Sequence, residues 1–193
     1  MDRLIDRFLP APDVRTVHTI SVRASPEQVL RVAEHFDLES LGVIRALFRL
    51  RGWLVRARPL PPHVPRGLVD QLTSIGWRTL AQEPGRQRVF GAVTRPWEGN
   101  VRFTPVAPEA FASFAEPGLV KIAWTLEAEP DPRRPGATVF RTETRARGTD
   151  EDARRRFRRY WRLFSPGIVL LRLVLLPAVR RVCEHPPGPS GTP

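Results

Sequence analysis

Cysteine and lysine are almost absent from this chain, and each scarcity limits the kinds of bond or site that the chain can form. Cys183 is alone among 193 residues, which excludes an internal disulfide bond and a cysteine-based zinc site. Lys121 is the only lysine, so arginine supplies nearly all of the positive charge behind the formal net charge of +11. The first residues also lack the apolar run of a secretory signal, and we expect a cytoplasmic protein.

A long hydrophobic run is missing as well. The most apolar stretch, residues 163–179, is shorter than the roughly 20 residues of a membrane-spanning helix. It also contains Arg172, Pro166 and Pro177, which are unfavourable inside such a helix. We therefore predict a buried helix here, and a peripheral contact with a membrane is the alternative.

Histidine is too scarce and too scattered to indicate a metal site. The four histidines are His18, His35, His63 and His185, and their spacing is not that of metal ligands. Phosphate-binding loops, nucleophile elbows and dinucleotide-binding loops are also missing, so we expect neither a metal nor another cofactor. His18 falls on an apolar face of a predicted strand, as a hydrogen-bonded core residue or as a polar group beside a cavity.

What is present is the composition of a globular protein. Hydrophobic residues make up 41% and charged residues 26%, which suits a folded domain rather than a disordered chain. Many of the 21 prolines fall between periodic segments and mark loops. We predict one domain over residues 1–184 and a disordered tail rich in proline and glycine over 185–193.

The first third of the chain carries strand and helix patterns in turn. Residues 14–23 alternate apolar and polar side chains as a strand does. Ser25 followed by Pro26 is a typical helix start and opens a helical stripe. A second helix ending at Leu50 and a proline-rich connector over 53–66 complete this part of the chain.

The middle of the chain changes to a strand period. Residues 77–83 and 86–95 flank the tight-turn pair Pro84-Gly85, which predicts a β-hairpin. Three later stretches also read as strands: 101–106, 119–129 and 138–147. The order of elements predicts an α+β fold, with helices on one face of a single antiparallel sheet.

The last predicted strand contains the motif TETR. Thr142 and Thr144 point to one side of the sheet, and Glu143 and Arg145 point to the other. One interpretation places the charged pair outside in a cross-strand ladder and the threonines inside. In the opposite register Glu143 and Arg145 point inward and orient the polar end of a ligand.

The C-terminal helix is predicted to be amphipathic. Thr149 is the expected N-cap, and the acidic residues at 150–152 suit the positive end of the helix dipole. Its apolar side chains fall within an arc of about 100°. They are Ala153, Phe157, Tyr160, Trp161 and Phe164. Ser165-Pro166 has the pattern of another helix start, so we expect a kink or a restart there.

Arginines crowd the other face of this helix. Those at 154, 155 and 156 have an acidic residue four positions earlier, whereas Arg158, Arg159 and Arg162 have none nearby. The simplest interpretation is a solvated face over a buried helix. The alternative is contact of the three unpaired arginines with phosphate or an anionic surface. We expect no specific nucleic-acid partner, because no helix-turn-helix, zinc spacing or RNA-binding strand motif is present.

Several stretches together resemble one protein family. They are FLPAPDVRTVHTISVRASPEQVLRV, LFRLRG, GAVTRPW, TETR and FRRYWRLFSPG, spread over roughly residues 8–184. On these stretches and on the element order, the chain resembles bacterial members of the START-like superfamily. That superfamily is also called SRPBCC or helix-grip, and it includes polyketide cyclase/dehydrase-type proteins. The resemblance implies a curved antiparallel sheet wrapped around a long C-terminal helix, with an apolar cavity between them.

The function that this resemblance implies is binding or carriage of a hydrophobic small molecule, lipid-like or polyketide-like, in that cavity. The residues expected to line it are His18, Phe90, Trp97, Ile122, Trp124, Thr142, Thr144, Tyr160, Trp161 and Phe164. For Trp97 and Trp124, core packing is the favoured role, and a place on the floor of the cavity is the alternative. Glu143 and Arg145 are the candidates for orienting the ligand.

Two other functions stay open at this point. A cyclase or dehydratase using the same cavity requires a converging polar set, namely His18, Tyr160, Glu143 and Arg145. An anionic-membrane or protein-interaction module would instead use the face formed by Arg158, Arg159 and Arg162.

Overall fold

The secondary structure is that of an α+β protein, as predicted. The computed structural model describes residues 3–37, 41–42, 45–46, 49 and 67–185. Its helices in this part of the chain are α1 (Leu4–Phe8), α2 (Pro26–His35), α3 (Leu68–Ser74), α4 (Pro108–Phe111) and α5 (Glu151–Glu184). Its strands are β1 (Val14–Val22), β2 (Arg78–Glu83), β3 (Gln87–Thr94), β4 (Phe103–Thr104), β5 (Val120–Pro130) and β6 (Thr138–Gly148).

Three predictions fall on other parts of the chain. The second helix ending at Leu50 lies largely outside the described residues, and the connector over 53–66 lies wholly outside them. The predicted tail is outside them from residue 186 onward.

The strands form one open antiparallel sheet. Their order is β1-β6-β5-β3-β2, and β4 pairs with the free part of β3. The predicted hairpin is confirmed by the pairing of β2 with β3. Gly85 in its turn has φ of +72°, a conformation that favours glycine. A Cβ atom at this position would also lie only 2.7 Å from Cγ of Glu27 in α2.

Helices α2 and α5 cover one face of the sheet, which we call the α5 side. Apolar residues of α2 recur at helical spacing as Val29, Leu30 and Ala33, so a single stripe meets the sheet. This stripe packs in one cluster with sheet residues Phe90, Trp124, Leu126 and Phe140 and with α5 residues Leu175, Leu176, Val179 and Cys183. Burial of each large apolar side chain contributes about 1.5–3 kcal/mol, so this cluster holds the end of α5 on the sheet.

The opposite face, which we call the α1 side, is also covered. Leu4 and Ile5 of α1 and the following Leu9 are buried against Val89 and Val93 of β3. Phe111 of α4 belongs to the same cluster and is fully buried. The expectation that helices lie on one face only was therefore wrong. The short apolar segment before β1 has enough buried surface to act as a second covering layer.

Helix α5 runs without interruption over 34 residues and includes both Pro166 and Pro177. It does not restart at Ser165-Pro166, one of the two outcomes expected there. Its N-cap is Asp150 rather than Thr149, because the Asp150 carboxylate accepts a hydrogen bond from the Ala153 amide at 2.7 Å. Thr149 instead joins α5 to the sheet, since its hydroxyl donates to the Leu119 carbonyl at 2.9 Å.

Candidate ligand-binding site

The alternation along β6 decides which predicted residues face α5. Thr142 and Thr144 lie on the α5 side, and Glu143 lies on the α1 side. His18 pairs with Thr142 across the β1–β6 ladder, and Trp124 pairs with Thr144 across the β5–β6 ladder. Directly paired residues in an antiparallel sheet share a face. The structure therefore brings His18, Trp124 and the two threonines together, opposite α5.

Arg172 of α5 enters this polar group from the helix. Its side chain is 7% exposed, and Nη2 donates to the Thr144 hydroxyl at 3.1 Å. The guanidinium carbon lies 4.1 Å from the centre of the Trp124 ring, which is a cation–π contact. Among the described residues, the buried Nη1 has no hydrogen-bond partner, and no acidic side chain forms an ion pair with Arg172. Burial lowers the pKa of Arg172 to about 9, so the side chain is still a cation at neutral pH.

The neighbours of Arg172 are neutral and hydrogen-bonded to one another. Trp124 Nε1 donates to the Thr142 hydroxyl at 3.1 Å, which fixes the orientation of the indole. Burial, together with the positive charge of Arg172, lowers the pKa of His18. His18 is therefore uncharged at neutral pH. The described residues around the buried cation thus form a polar patch that supplies no negative charge.

The aromatic residues of the first half of α5 form a second group. Phe157 is buried, and its ring lies 5.7 Å from that of Trp161. Tyr160 and Phe164 stack at 4.6 Å. Phe157 belongs to a small cluster with Val120 and Ala146, and the partly buried side chains packed against this cluster include Val14, Trp97 and Ile122. Phe90 belongs to neither group, because it is fully buried in the core beside Trp124.

The middle of α5 contacts the sheet less closely than its two ends. Phe157 and Arg172 are buried, but none of the described side chains between them is fully buried. This stretch is about 22 Å long at 1.5 Å per residue. The inner-arc residues Tyr160, Trp161 and Phe164 fall within it and are only partly buried. We call these three residues the aromatic stretch.

Helix α5 is also long and apolar enough, by length and composition, to cross a membrane. The core helix of a soluble protein meets the same criterion, so this property alone is weak support for a membrane span. The end of α5 packs in the core of the sheet through Leu175, Leu176 and Val179.

Glu143 and Arg145 lie on the α1 side, away from Arg172, in a buried ion network. The Glu143 carboxylate is fully buried, and four arginines donate to it at 2.5–2.7 Å: Arg3, Arg15, Arg141 and Arg145. Burial alone would raise the pKa of Glu143, but these hydrogen bonds hold it well below the usual carboxyl range. Arg145 also donates to the Leu9 carbonyl at 2.9 Å and pairs with Asp6 at 2.6 Å. The network therefore fastens α1 to the sheet.

The polar set required for a cyclase or dehydratase does not converge. His18 is on the α5 side of the sheet, whereas Glu143 and Arg145 are on the α1 side. Cys183 is buried, and burial raises the pKa of its thiol to about 11, which makes it a poor nucleophile at neutral pH. Within the described residues, no cluster of histidine, cysteine or acidic side chains is arranged to hold a metal ion.

The arginines of α5 divide into paired and unpaired groups. Asp152 pairs with Arg156 at 2.7 Å as predicted, but Arg154 and Arg155 pair with residues three positions earlier. Asp150, the predicted partner of Arg154, caps the helix instead. Three more arginines in the first half of α5 form no hydrogen bond or ion pair with a described residue: Arg158, Arg159 and Arg162. They line an open groove of about 440 Å³ with Val14, Arg155 and Trp161.

Arg172 is the site residue that the sequence interpretation missed. From the sequence, Arg172 is only evidence against a membrane span. A usable signal was present, because Arg172 is the only charged residue in the apolar stretch 163–179. It also lies at helical spacing from Leu175, Leu176 and Val179, which places it on the buried face of the helix.

Comparisons with known proteins assign no family to the chain. No family model and no curated protein matches it. A Deinococcus radiodurans protein, whose crystal structure was determined as a structural genomics target, is 14% identical in sequence. Its match covers 77% of this chain and 95% of that one, with a TM-score of 0.31. We draw neither fold nor function from a likeness of this degree.

The ion network around Glu143 predicts a large loss of stability in Glu143→Gln. The substitution keeps the shape of the side chain but leaves several arginines without their shared anion, and we expect a loss of about 3–5 kcal/mol in the free energy of unfolding. Urea denaturation measures it. Glu129→Gln is the matched control, because Glu129 is exposed at the end of β5 and should change stability little.

The same network sets the acid sensitivity of the fold. The pKa of Glu143 is lower in the folded than in the unfolded protein, so its contribution is complete above the unfolded value of about 4.3 and is lost as the pH falls below it. The wild-type protein should therefore lose stability more steeply below that pH than Glu143→Gln. Equal slopes for the two proteins would contradict this role.

Proposed function

We propose that the protein binds a hydrophobic small molecule between the middle of α5 and the α5 side of the sheet, as a carrier or sensor. We further propose that its architecture is the helix-grip arrangement of START-like proteins. The element order supports this: strand and helix first, then antiparallel strands, and a long C-terminal helix against the sheet. One fold class supports many functions, so the function of this protein depends on the chemical groups at the site.

The observation that carries the proposal is the incomplete burial of the aromatic stretch. Its three side chains lie on the inner arc of a helix whose two ends are packed on the sheet. Large apolar rings that stay partly exposed between two packed regions are typical of a binding surface rather than of a finished core. Binding sites for small molecules combine such apolar walls with a few polar groups, which the patch around Arg172 supplies.

Carriage is favoured over catalysis by the chemistry of this region. Proton transfer requires an acid and a base within hydrogen-bond reach of one reacting group. Among the described residues on this side of the sheet, the polar groups at the site are a cation, a neutral histidine and three hydroxyls, those of Thr142, Thr144 and Tyr160, and no carboxylate is among them. These groups suit recognition of a ligand's polar end.

A pair of neighbouring substitutions tests the proposal. Phe164→Gln removes an apolar group from the aromatic stretch, whereas Leu163→Gln changes a residue that is 70% exposed on the outer face. We expect the affinity for the neutral dye Nile red, measured by fluorescence titration, to fall about tenfold in Phe164→Gln, because about 1.5 kcal/mol of apolar contact is lost. Leu163→Gln should bind like the wild-type protein. Absence of dye binding by the wild-type protein, or equal affinities in both variants, would contradict the proposal.

A second candidate function is contact with an anionic membrane through the outer face of α5. The observation that favours it is the groove lined by the unpaired Arg158, Arg159 and Arg162. Further along the same helix, Leu163, Leu170 and Leu173 are exposed by 70%, 41% and 60%. Arginines beside exposed leucines are typical of helices that lie at a lipid interface.

Vesicle co-sedimentation tests this second function. The variant Arg158→Glu/Arg159→Glu/Arg162→Glu should lose binding to vesicles that contain phosphatidylglycerol, since each basic residue contributes about 1 kcal/mol near an anionic surface. A charge-matched control, Arg78→Glu/Arg133→Glu/Arg134→Glu, changes exposed arginines on other elements and should bind nearly as the wild type does. Equal losses in both variants, or binding to pure phosphatidylcholine, would rule out a specific arginine face.

A further inference from the structure

Arg172 carries a positive charge that none of the described residues neutralises. Its side chain is buried, and Nη1 has no hydrogen-bond partner in the part of the chain that the structure describes. Burial of a charge without a partner is among the least favourable arrangements in a protein, and buried arginines are nearly always paired. An anion bound to this cation would remove that cost.

The groups around Arg172 are suited to hold an anion. The Thr144 hydroxyl and the Trp124 ring fix the guanidinium from two directions, through a hydrogen bond and a cation–π contact. His18 is uncharged because burial and the charge of Arg172 oppose its protonation. The described residues thus give this patch one net positive charge and a free Nη1 donor. A single negative charge would neutralise the patch, whereas a phosphate dianion would leave an uncompensated buried charge.

We infer that Arg172 binds the carboxylate of an amphiphilic acid whose apolar part lies along the aromatic stretch. Phe164 is two turns before Arg172, about 12 Å along the helix at 1.5 Å per residue. A molecule with an acidic end and an apolar chain or ring system of that length spans both regions. The inference rests on the proposed function and adds the chemical class of the ligand. Arg172 is a suitable anchor, because its planar guanidinium matches the geometry of a carboxylate.

Three probes that differ only in the head group test this inference. Decanoate, decanol and decylammonium compete with Nile red for the wild-type protein, and their affinities are compared below their micelle concentrations. We expect decanoate to bind about 10- to 100-fold tighter than decanol, as for a charge-assisted hydrogen bond, and decylammonium to bind weakest. Equal binding of decanoate and decanol would overturn the inference, while displacement of Nile red by both would leave the proposed function standing. Failure of all three probes and of Nile red would overturn both.

Substitution of Arg172 tests whether this side chain causes the preference for decanoate over decanol. In Arg172→Met we expect the difference between decanoate and decanol to disappear, whereas Arg172→Lys retains the charge and part of the difference. Arg180→Met is the matched control, because Arg180 lies on the exposed face of the same helix and pairs with Glu184. A carboxylate preference that persists in Arg172→Met would overturn the assignment. The Tm of Arg172→Met should be unchanged or raised, since an apolar residue replaces an unpaired buried charge.

A second measurement needs no substitution at Arg172. Nuclear magnetic resonance titration of His18, identified by comparison with His18→Asn, reports the local electrostatic potential. Addition of decanoate should raise the pKa of His18, because the bound carboxylate offsets the positive charge of Arg172. Decanol should not produce this rise. An unchanged pKa of His18 in the presence of saturating decanoate would overturn the inference even if decanoate bound tightly elsewhere.

Discussion

The burial of Glu143 is the constraint on which both faces of the sheet depend. Its carboxylate has no exposed surface and stays ionised because four arginines donate hydrogen bonds to it. Side chains alternate along a strand, so Glu143 on the α1 side fixes Thr142 and Thr144 on the α5 side. A shift of one residue in β6 would press charged side chains against the apolar core under α5. The ion network therefore determines, through the register, which groups meet Arg172.

Helix α5 packs closely on this sheet near its two ends and less closely in its middle. Its start is held by the Asp150 cap and by Phe157, and its end is held by Leu175 and Val179. Between these points the aromatic stretch is only partly buried, and Arg172 is buried without a counter-charge from any residue that the structure describes. Features that reduce the stability of a fold are found at functional sites, where they contribute to binding. We interpret the apolar rings and the cation as two halves of one site for an amphiphilic acid.

The parts of this arrangement that depend on local pattern could be predicted from the sequence. The hairpin at Pro84-Gly85, the alternation of TETR and the inner arc of α5 each follow from turn chemistry or from side-chain period. The rest depends on contacts between distant segments. Nothing near Glu143 in sequence indicates that Arg3, 140 positions away, would donate to it and fasten α1 to the second face. The contacts of Arg172 likewise form only in the fold, where β5 and β6 bring Trp124 and Thr144 against it, so they could not be predicted from the sequence around it.

The central claim is that a bound carboxylate lies against the Arg172 guanidinium and is ionised there. Decanoate labelled with ¹³C at the carboxyl carbon reports this directly, because its chemical shift follows the protonation of the bound acid. Contact with a buried cation favours the charged form and lowers the pKa of the bound acid below that of free decanoate. Our interpretation predicts this lowered value in the wild-type protein. A raised pKa would mean that the carboxyl group lies in apolar surroundings away from Arg172, and it would contradict the claim.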